Sequence, residues 1–450
     1  MPEIARPEPS RFYRWMVLIV ISLAMFGNYY VYDCIAPIAD LLSKQLGFSD
    51  SNIGLLQAIY SIPNVFMVLI GGYIVDRIGT RKAIFIFGAV CFLGSIVTAL
   101  SGKLAVMAAG RLIFGLGAES LIVAVTTATA KWFRGKELSF AFGINLMIAR
   151  LGSWLAQNSP TWAQFAYGSW RSPLLISVGF GTFCVTGAVG YWVMEVHAEK
   201  KYELGHAGST DKVVFSDVYK FGVSYWFIVA LCIVFYSAIF PFETFAYKFF
   251  IDVHHTTRAA AGFLVSILTL FTMFGTPLFG LFVDKIGKRA LLMMFGSVLL
   301  IPVYLMMAYV PSKSYIALSM PWFSNGHIVW FSTAPLPTLL LGTMATMGVA
   351  FSLIPAVMWP SVAYLVDQSK LGTAYGLMTM IQNIGLAGLN LLVGWANDHS
   401  AASADNPAGY HLGMWIFSIL GFLGVLFAFL LRQREMGPHG HGLETITTKG

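Results

Sequence analysis

Glu119 and Arg150 are the residues of this sequence with the most chemistry to offer, because each is an ionisable group set deep in an apolar stretch. Glu119 lies 12 residues before Lys131, and Arg150 lies 13 after Glu137, on either side of a short segment that also holds Arg134 and Lys136. If both stretches are helical, a rise of about 1.5 Å per residue puts both side chains roughly 18 to 20 Å from that segment. They then share one depth on adjacent antiparallel helices. An ionised group there costs at least ~2.5 to 3.5 kcal/mol in hydrocarbon, so it must face a partner or a wet cavity. Either the two lock their helices together as an ion pair, or they line a cavity and engage opposite charges on a ligand. A guanidinium suits a carboxylate through two parallel hydrogen bonds, and a carboxylate suits an ammonium, so the second arrangement would take a zwitterion.

The elements that must hold these residues are membrane-spanning helices. The chain is 57% hydrophobic and only 11% charged, with a mean hydropathy of +0.72, whereas an ordinary soluble domain is about 25% charged. Twelve apolar runs reach the length of about 20 residues that a helix needs to cross a bilayer. They are expected at Trp15 to Leu41, Asn52 to Val75, Ala83 to Ser101, Leu104 to Ala130, Leu138 to Gln157 and Ser172 to Val196 in the first half. The second half supplies Val223 to Ile251, Ala259 to Val283, Ala290 to Val310, Thr338 to Val366, Leu371 to Ala396 and Gly409 to Leu431. This divides the chain into a six-helix bundle over 1–196, a central loop over 197–222, a second six-helix bundle over 223–432 and a tail over 433–450.

Two repeats relate the halves. Gly72-Tyr-Ile-Val-Asp76-Arg77-Ile-Gly79-Thr-Arg81 returns as Gly280-Leu-Phe-Val-Asp284-Lys285-Ile-Gly287-Lys-Arg289, offset by 208 residues, each time closing a long apolar helix. Ala141-Phe-Gly143 through Ile148-Ala-Arg150-Leu-Gly152 returns as Ala374-Tyr-Gly376 through Ile381-Gln382-Asn383-Ile-Gly385, at an offset of 233. The difference of 25 is the length of the insertion Pro311 to Pro335, which carries Trp322, Phe323 and Trp330. Duplicated membrane bundles of this kind are expected to be carriers with the substrate near the midplane, between the halves. Arg150 and Asn383 become equivalent positions there.

Other polar residues fall into stripes at helical spacing. Tyr29, Tyr32 and Asp33 share one face, as do Tyr236, Glu243 and Tyr247. Tyr29, Tyr32, Tyr236, Tyr247, Trp359, Gln382 and Asn383 join Glu119 and Arg150 as candidate substrate contacts. For Asp33, Glu243 and Lys248, nearer the external end, gating and ligand contact stay equally open. Asp76, Arg77 and Arg81, with Asp284, Lys285 and Arg289, are candidate gating residues, because a carboxylate at a helix end accepts backbone hydrogen bonds from a neighbouring helix N-terminus only when the two halves meet there.

Charge placement sets the expected orientation. With the N-terminus in the cytoplasm, only Lys44, Lys103, Arg171, Arg258 and Lys313 of the 28 Lys and Arg lie on external segments, so both termini are expected to be cytoplasmic. The net charge of +7 is therefore topological and does not mark a nucleic-acid surface. Arg6, Arg11 and Arg14 precede a stretch too long for a signal-peptide core, so the first helix is expected to insert the chain itself. Cys34, Cys91, Cys184 and Cys232 all fall in apolar runs and read as packing residues, and His439 and His441 sit in a Gly-rich tail, so no disulfide, metal or cofactor is expected. No nucleophile with a base at workable spacing stands out, so an enzyme is not expected.

The paired turns, twelve helices and central loop resemble the major facilitator superfamily, and Arg111-Leu-Ile-Phe-Gly115-Leu-Gly117-Ala118 is similar to that superfamily's helix 4 motif, with Glu119 where a small residue is usual. A narrower set resembles its lysosomal dipeptide uniporter branch: Tyr29-Tyr-Val-Tyr-Asp33, Tyr60-Ser-Ile-Pro63-Asn64, Gly117-Ala-Glu119-Ser120, Trp132-Phe-Arg-Gly135-Lys136-Glu137-Leu138, Met147-Ile-Ala-Arg150-Leu-Gly152-Ser153 and Leu371-Gly-Thr-Ala-Tyr-Gly376. The resemblance implies an all-α membrane fold of two pseudo-symmetric bundles that moves a dipeptide by alternating access, with the peptide's amino and carboxyl ends on Glu119 and Arg150. The chain departs from that branch in lacking an acidic dileucine before its first helix and any Asn-x-Ser/Thr sequon, which points to a prokaryotic cell (inner) membrane. The Glu-x-x-Glu-Arg motif of proton-coupled oligopeptide carriers is missing too. The competing expectation is an organic-anion carrier in which Arg150 binds the anion and Glu119 exchanges protons. The expected partners are thus a small molecule and the lipid bilayer, and the sequence assigns no accessory subunit.

Overall fold

The computed structural model describes residues 7–133, 137–202, 221–324, 327–332, 335–438 and 440–447. Most of the expected central loop, 203–220, lies outside the described residues, as does His439. Twelve long helices carry the fold. The first half holds α1 (Arg11–Asp33), α2 (Asp50–Ile78), α3 (Thr80–Leu100), α4 (Leu104–Phe133), α5 (Leu138–Gln157) and α6 (Arg171–Lys201). The second holds α7 (Val223–His254), α8 (Arg258–Ile286), α9 (Arg289–Tyr309), α10 (Thr338–Leu365), α11 (Leu371–His399) and α12 (His411–Glu435). Eleven spans of the described residues are long and apolar enough to cross a membrane, and α5, with 20 residues, is the twelfth long helix. This is an all-α membrane protein of two six-helix bundles.

The first expected helix, Trp15 to Leu41, is broken. It stops at Asp33, a 3-10 turn covers Ala36–Ile38, and a second short helix runs Ala39–Leu46. Pro37 is the cause, since it has no N–H to donate and its ring clashes with the preceding turn of a continuous helix. The insertion between α9 and α10 is also more ordered than a loop. Ser319–Ser324 pairs antiparallel with His327–Ser332, and Tyr315–Ile316 pairs with Leu336–Pro337 at its base.

Internal symmetry is visible at both ends of the second helix in each half. Ser49 accepts from the backbone N–H of Asn52 at 3.3 Å to cap α2, and Thr257, 208 residues on, accepts from Ala260 at 3.2 Å to cap α8. At the other ends Gly79 and Gly287 have φ of +83° and +68° and donate to the carbonyls of Val75 and Val283. Glycine is the residue that reaches this backbone region without a Cβ penalty, so the repeated glycine terminates each helix.

Within the halves, α1 packs on α5 and α6, α4 on α2 and α3, α8 on α10, and α12 on α7 and α9. Across them, α2 packs on α11 and α5 on α8. This cross-packing belongs to one end of the molecule, the end away from the chain termini. On α8 the buried residues other than Val283 run from Ala260 to Thr269, after which Phe274, Leu278, Leu281 and Phe282 are exposed. On α2 they are dense from Ile53 to Asn64, and then Phe66, Ile70 and Tyr73 are exposed. The halves therefore close on each other at the distal end and part toward the termini.

Gly394 on α11 makes that closure tight, because a Cβ there would stand 2.6 Å from the carbonyl oxygen of Asp50 at the start of α2. Gly394→Val should wedge the distal ends apart without disturbing either bundle. The check is maleimide labelling of a cysteine at Ser51 in a background lacking the native cysteines. Labelling from the distal side should rise severalfold in the Val variant, and unchanged labelling would show that the contact does not control closure.

Candidate functional site

The distal closure is held by charge. Lys248 on α7 bonds Asp50 on α2 at 2.5 Å, and Asn397 on α11 donates to the second oxygen of Asp50 at 2.9 Å. Asp398 accepts the backbone N–H groups of Asp50 and Ser51, both at 2.8 Å, so it caps α2 from the opposite half. Arg258 at the start of α8 grips Asp40 with two hydrogen bonds of 3.1 and 2.5 Å. Gln157 completes the latch, its carbonyl accepting from the Tyr247 hydroxyl and its side chain from Thr269, each at 2.7 Å. Polar bonds between described residues that cross from one half to the other gather here.

Below the latch lies a cavity of about 510 Å³, within the usual range for small-molecule sites. Tyr29, Tyr32, Glu119 and Arg150 line it from the first half, and Tyr236, Trp359, Gln382 and Asn383 from the second. Among the described residues Glu119 and Arg150 are its only charged lining groups, and both belong to the first half. They do not pair: among the described residues no ion pair joins them, so the helix-locking arrangement is not the one formed. Arg150 instead lies between two rings, 5.5 Å from the centroid of Tyr29 and 5.8 Å from that of Phe351 on α10. The rings compensate part of its charge, and the residue lines the cavity. Tyr29, whose ring lies against Arg150, shares the cavity lining with Glu119.

The second half supplies a neutral wall. Trp359 donates through Nε1 to the Tyr236 hydroxyl at 2.9 Å, and Tyr375 donates to the Trp359 carbonyl at 3.2 Å. Phe240 stacks on Tyr236 at 5.8 Å and meets Phe351 edge-on at 5.5 Å. Asn383 donates to the Thr379 carbonyl at 3.1 Å and keeps its amide oxygen for the cavity. Tyr247 is placed elsewhere. Although it shares a helical stripe with Tyr236, it is fully buried and its hydroxyl serves the latch, because eleven residues along α7 carry it past the cavity roof.

The candidate gating residues sit at the termini end. Arg81 bonds Glu199 on α6 at 2.6 Å, and Arg77 and Lys285 are exposed. Arg289 is 2% exposed and bonds Asp284 at 3.0 Å and the Ile446 carbonyl at 2.9 Å. The tail reaches this turn because Glu444 accepts the N–H groups of Ala290 and Leu291 at 2.8 and 3.2 Å, capping α9. The latch residues Asp40, Asp50, Asn397, Asp398 and Arg258, and the ring of Phe351, were not among the sequence candidates. Their partners lie up to 348 residues apart, so no local spacing marks them.

A two-bundle membrane protein with a charged cavity between halves that close at one end is a carrier, and a comparison with known sequences makes the class specific. The sequence profile of the Major Facilitator Superfamily matches residues 21–334, and the chain belongs to that family. It is 32% identical over 399 residues to a zebrafish (Danio rerio) protein named lysosomal dipeptide transporter MFSD1, covering 85% of this chain and 80% of that one. The human (Homo sapiens) protein of the same name is 29% identical, over 96% of this chain and 89% of its own. Among solved structures, a bacterial homologue of the human lysosomal transporter Spinster, in an inward-facing and unoccupied conformation, superposes with a TM-score of 0.72 at 17% identity. That match covers 94% of this chain and 98% of the other. The nucleoside transporter NupG gives a TM-score of 0.68 at 15% identity, over 93% of this chain and 98% of its own. These two matches speak to the fold.

Arg111 separates structural charge from cavity charge. It is 1% exposed and donates to the carbonyls of Val31 and Tyr32, at 3.1 and 3.3 Å, where α1 ends, and to Leu56 and the Gln57 side chain on α2. Its guanidinium caps one helix and ties it to a second from a third. Arg111→Lys keeps the charge and loses the fork, so it should cost at least about 1.5 to 3 kcal/mol through lost charge-assisted bonds. Scanning fluorimetry in detergent should show a clearly lower melting temperature than wild type, whereas Arg150→Lys, whose side chain caps nothing, should melt close to wild type.

Proposed function

We propose that the chain moves dipeptides or similar small zwitterions across a membrane by alternating access. The observation that carries this reading is that Glu119 and Arg150 line one cavity, from one half, without pairing with each other. Two charges of opposite sign that lie within the membrane span and stay apart need compensation from something that carries both signs. A dipeptide carries both, its terminal ammonium and terminal carboxylate at most about 7 Å apart. Arg150 would take the carboxylate and Glu119 the ammonium, with the Tyr29 ring against Arg150, while Tyr236, Trp359, Gln382 and Asn383 would meet the backbone and side chains. The names of the zebrafish and human relatives agree with this substrate class.

The distribution of Lys and Arg supports cytoplasmic termini, and the absence of sequons supports a prokaryotic cell membrane. The units then follow as a bundle over 1–196, a cytoplasmic loop over 197–222, a bundle over 223–432 and a cytoplasmic tail over 433–450. In that orientation the structure is open to the cytoplasm and latched outside. The repeated turns, Asp76, Arg77 and Arg81 with Asp284, Lys285 and Arg289, would come together in the opposite state. Asp76→Asn should then deplete outward-open molecules, read as reduced labelling of a cysteine at Ser51 from outside, and equal labelling would remove the gating role.

The charge clamp is tested by blocking either end of the ligand. N-acetyl-dialanine and dialanine amide should each compete for dialanine binding at least tenfold more weakly than dialanine, because each loses a charge-assisted bond of about 1.5 to 3 kcal/mol at about 1.4 kcal/mol per decade. Arg150→Lys and Glu119→Gln should abolish binding of the uncapped peptide. A capped peptide that competes as well as the free one would refute the clamp. Uptake of succinate in preference to dialanine would favour the organic-anion alternative, which Arg150 as the one cationic lining residue also fits.

A further inference from the structure

Several of the long helices carry a proline in their interior: Pro63 on α2, Pro241 on α7, Pro277 on α8, Pro302 on α9, and Pro355 and Pro360 on α10. Proline has no N–H, so the carbonyl four residues earlier loses its partner in the helix. Among the described residues, Pro277 and Pro355 are the interior prolines that line the cavity, and each does so together with the residue whose carbonyl it frees, Met273 and Phe351. Residues four apart stand on one face of a helix, so both freed carbonyls belong to the cavity face.

The two positions are neighbours. Where α8 and α10 cross, a Cβ at Gly275 would stand 2.7 Å from the Ser352 hydroxyl oxygen, and one at Gly348 2.7 Å from the Phe271 ring. Those contacts bracket both carbonyls, because Met273 lies between Phe271 and Gly275, and Phe351 between Gly348 and Ser352. The hydroxyls beside them are used elsewhere. Thr272 donates to the Thr269 carbonyl at 2.9 Å, and Ser352 to the Gly348 carbonyl at 2.8 Å. Within a membrane, a helix tolerates an interior proline where some other group takes the freed carbonyl. Here that partner must come from the cavity.

We propose that the Met273 and Phe351 carbonyls form an acceptor site for the peptide N–H of a bound dipeptide. The proposal rests on the reading that the chain carries dipeptides. In that reading the ligand's ammonium goes to Glu119 and its carboxylate to Arg150, which leaves the peptide N–H between them to be matched. Arg150 has only donors and cannot take it. A donor taken out of water without an acceptor incurs its full desolvation cost, so a wall that offers carbonyls favours a peptide whose N–H can use them. The charges of the first half hold the two ends of the ligand, and the carbonyls of α8 and α10 read what joins them.

Competition against labelled dialanine tests this with alanyl-glycine and alanyl-sarcosine, which differ by an N-methyl group in place of the peptide N–H. Wild-type protein should bind alanyl-sarcosine about fivefold or more weakly, as expected for the loss of one hydrogen bond. In Pro277→Ala combined with Pro355→Ala, the new N–H groups recapture both carbonyls inside their helices. Alanyl-glycine should then weaken to within about twofold of alanyl-sarcosine, whose own affinity should hardly change. A steric penalty from the methyl group alone would leave the discrimination as large in the variant as in wild type, and that result overturns the proposal. So does wild-type protein that binds the two peptides alike. Should the double variant not fold, Pro277→Ala or Pro355→Ala alone must still shrink the discrimination by about twofold or more, and an undiminished ratio overturns the proposal in the same way. Wild-type protein that binds neither peptide marks the failure of the dipeptide reading itself, and the acceptor site falls with it.

Discussion

A charge placed inside a membrane must be answered by another charge, a ring or a row of carbonyls, and the architecture of this protein follows from how each one is answered. Arg111 is answered by helix ends, so it builds the first bundle. Lys248 and Arg258 are answered by Asp50 and Asp40, so they join the bundles at one end. Arg150 is answered by the faces of Tyr29 and Phe351. Rings compensate a cation less completely than a carboxylate does. The residue left with the weakest answer is the one that faces the cavity, and a ligand carboxylate would satisfy it better than the protein does.

The division of labour between the halves follows from the same accounting. Both cavity charges come from α4 and α5, while the second half presents Tyr236, Trp359 and Asn383 in a neutral wall fixed by its own hydrogen bonds. A ligand anchored on one half by charge leaves the other half to move against uncharged surface, where sliding costs no ion pair. Phe351 is the exception, since it belongs to the second half and touches Arg150 of the first. That contact lets the state of Arg150 be felt across the interface.

Much of the fold was legible because it rests on local rules. Apolar length set the twelve helices, and the 208-residue offset recurs in the caps Ser49 and Thr257 as well as in the glycine turns. Pro37 was a readable break that hydropathy alone passed over, because Ile35 through Leu42 is apolar enough to extend the span. Within the insertion, Asn325-Gly326 between two apolar runs was the available hairpin signal. Glu119 and Arg150 stood out because any charge in such a stretch must be explained. Tyr247 did not sort correctly from Tyr236, since sharing a face on one long helix fixes direction and leaves unspecified which neighbour stands opposite at each height. The latch was invisible for a related reason: Asp50 with Asp398 and Asp40 with Arg258 pair residues that only the docking of two bundles brings together.

That docking also explains why the latch uses backbone donors as well as side chains. Asp398 does not seek a cation across the interface. It takes two N–H groups at the start of α2, where the helix would otherwise leave them unpaired. Opening the distal end exposes those groups to water, which replaces the lost bonds at small net cost. The Arg258–Asp40 pair of the same latch is harder to open, because both charges need rehydration at once. Ion pairs and a helix cap thus share the closure: the pairs at Asp40 and Asp50 make it firm, and the cap on α2 from Asp398 is the part released at small cost, as a carrier requires on every cycle.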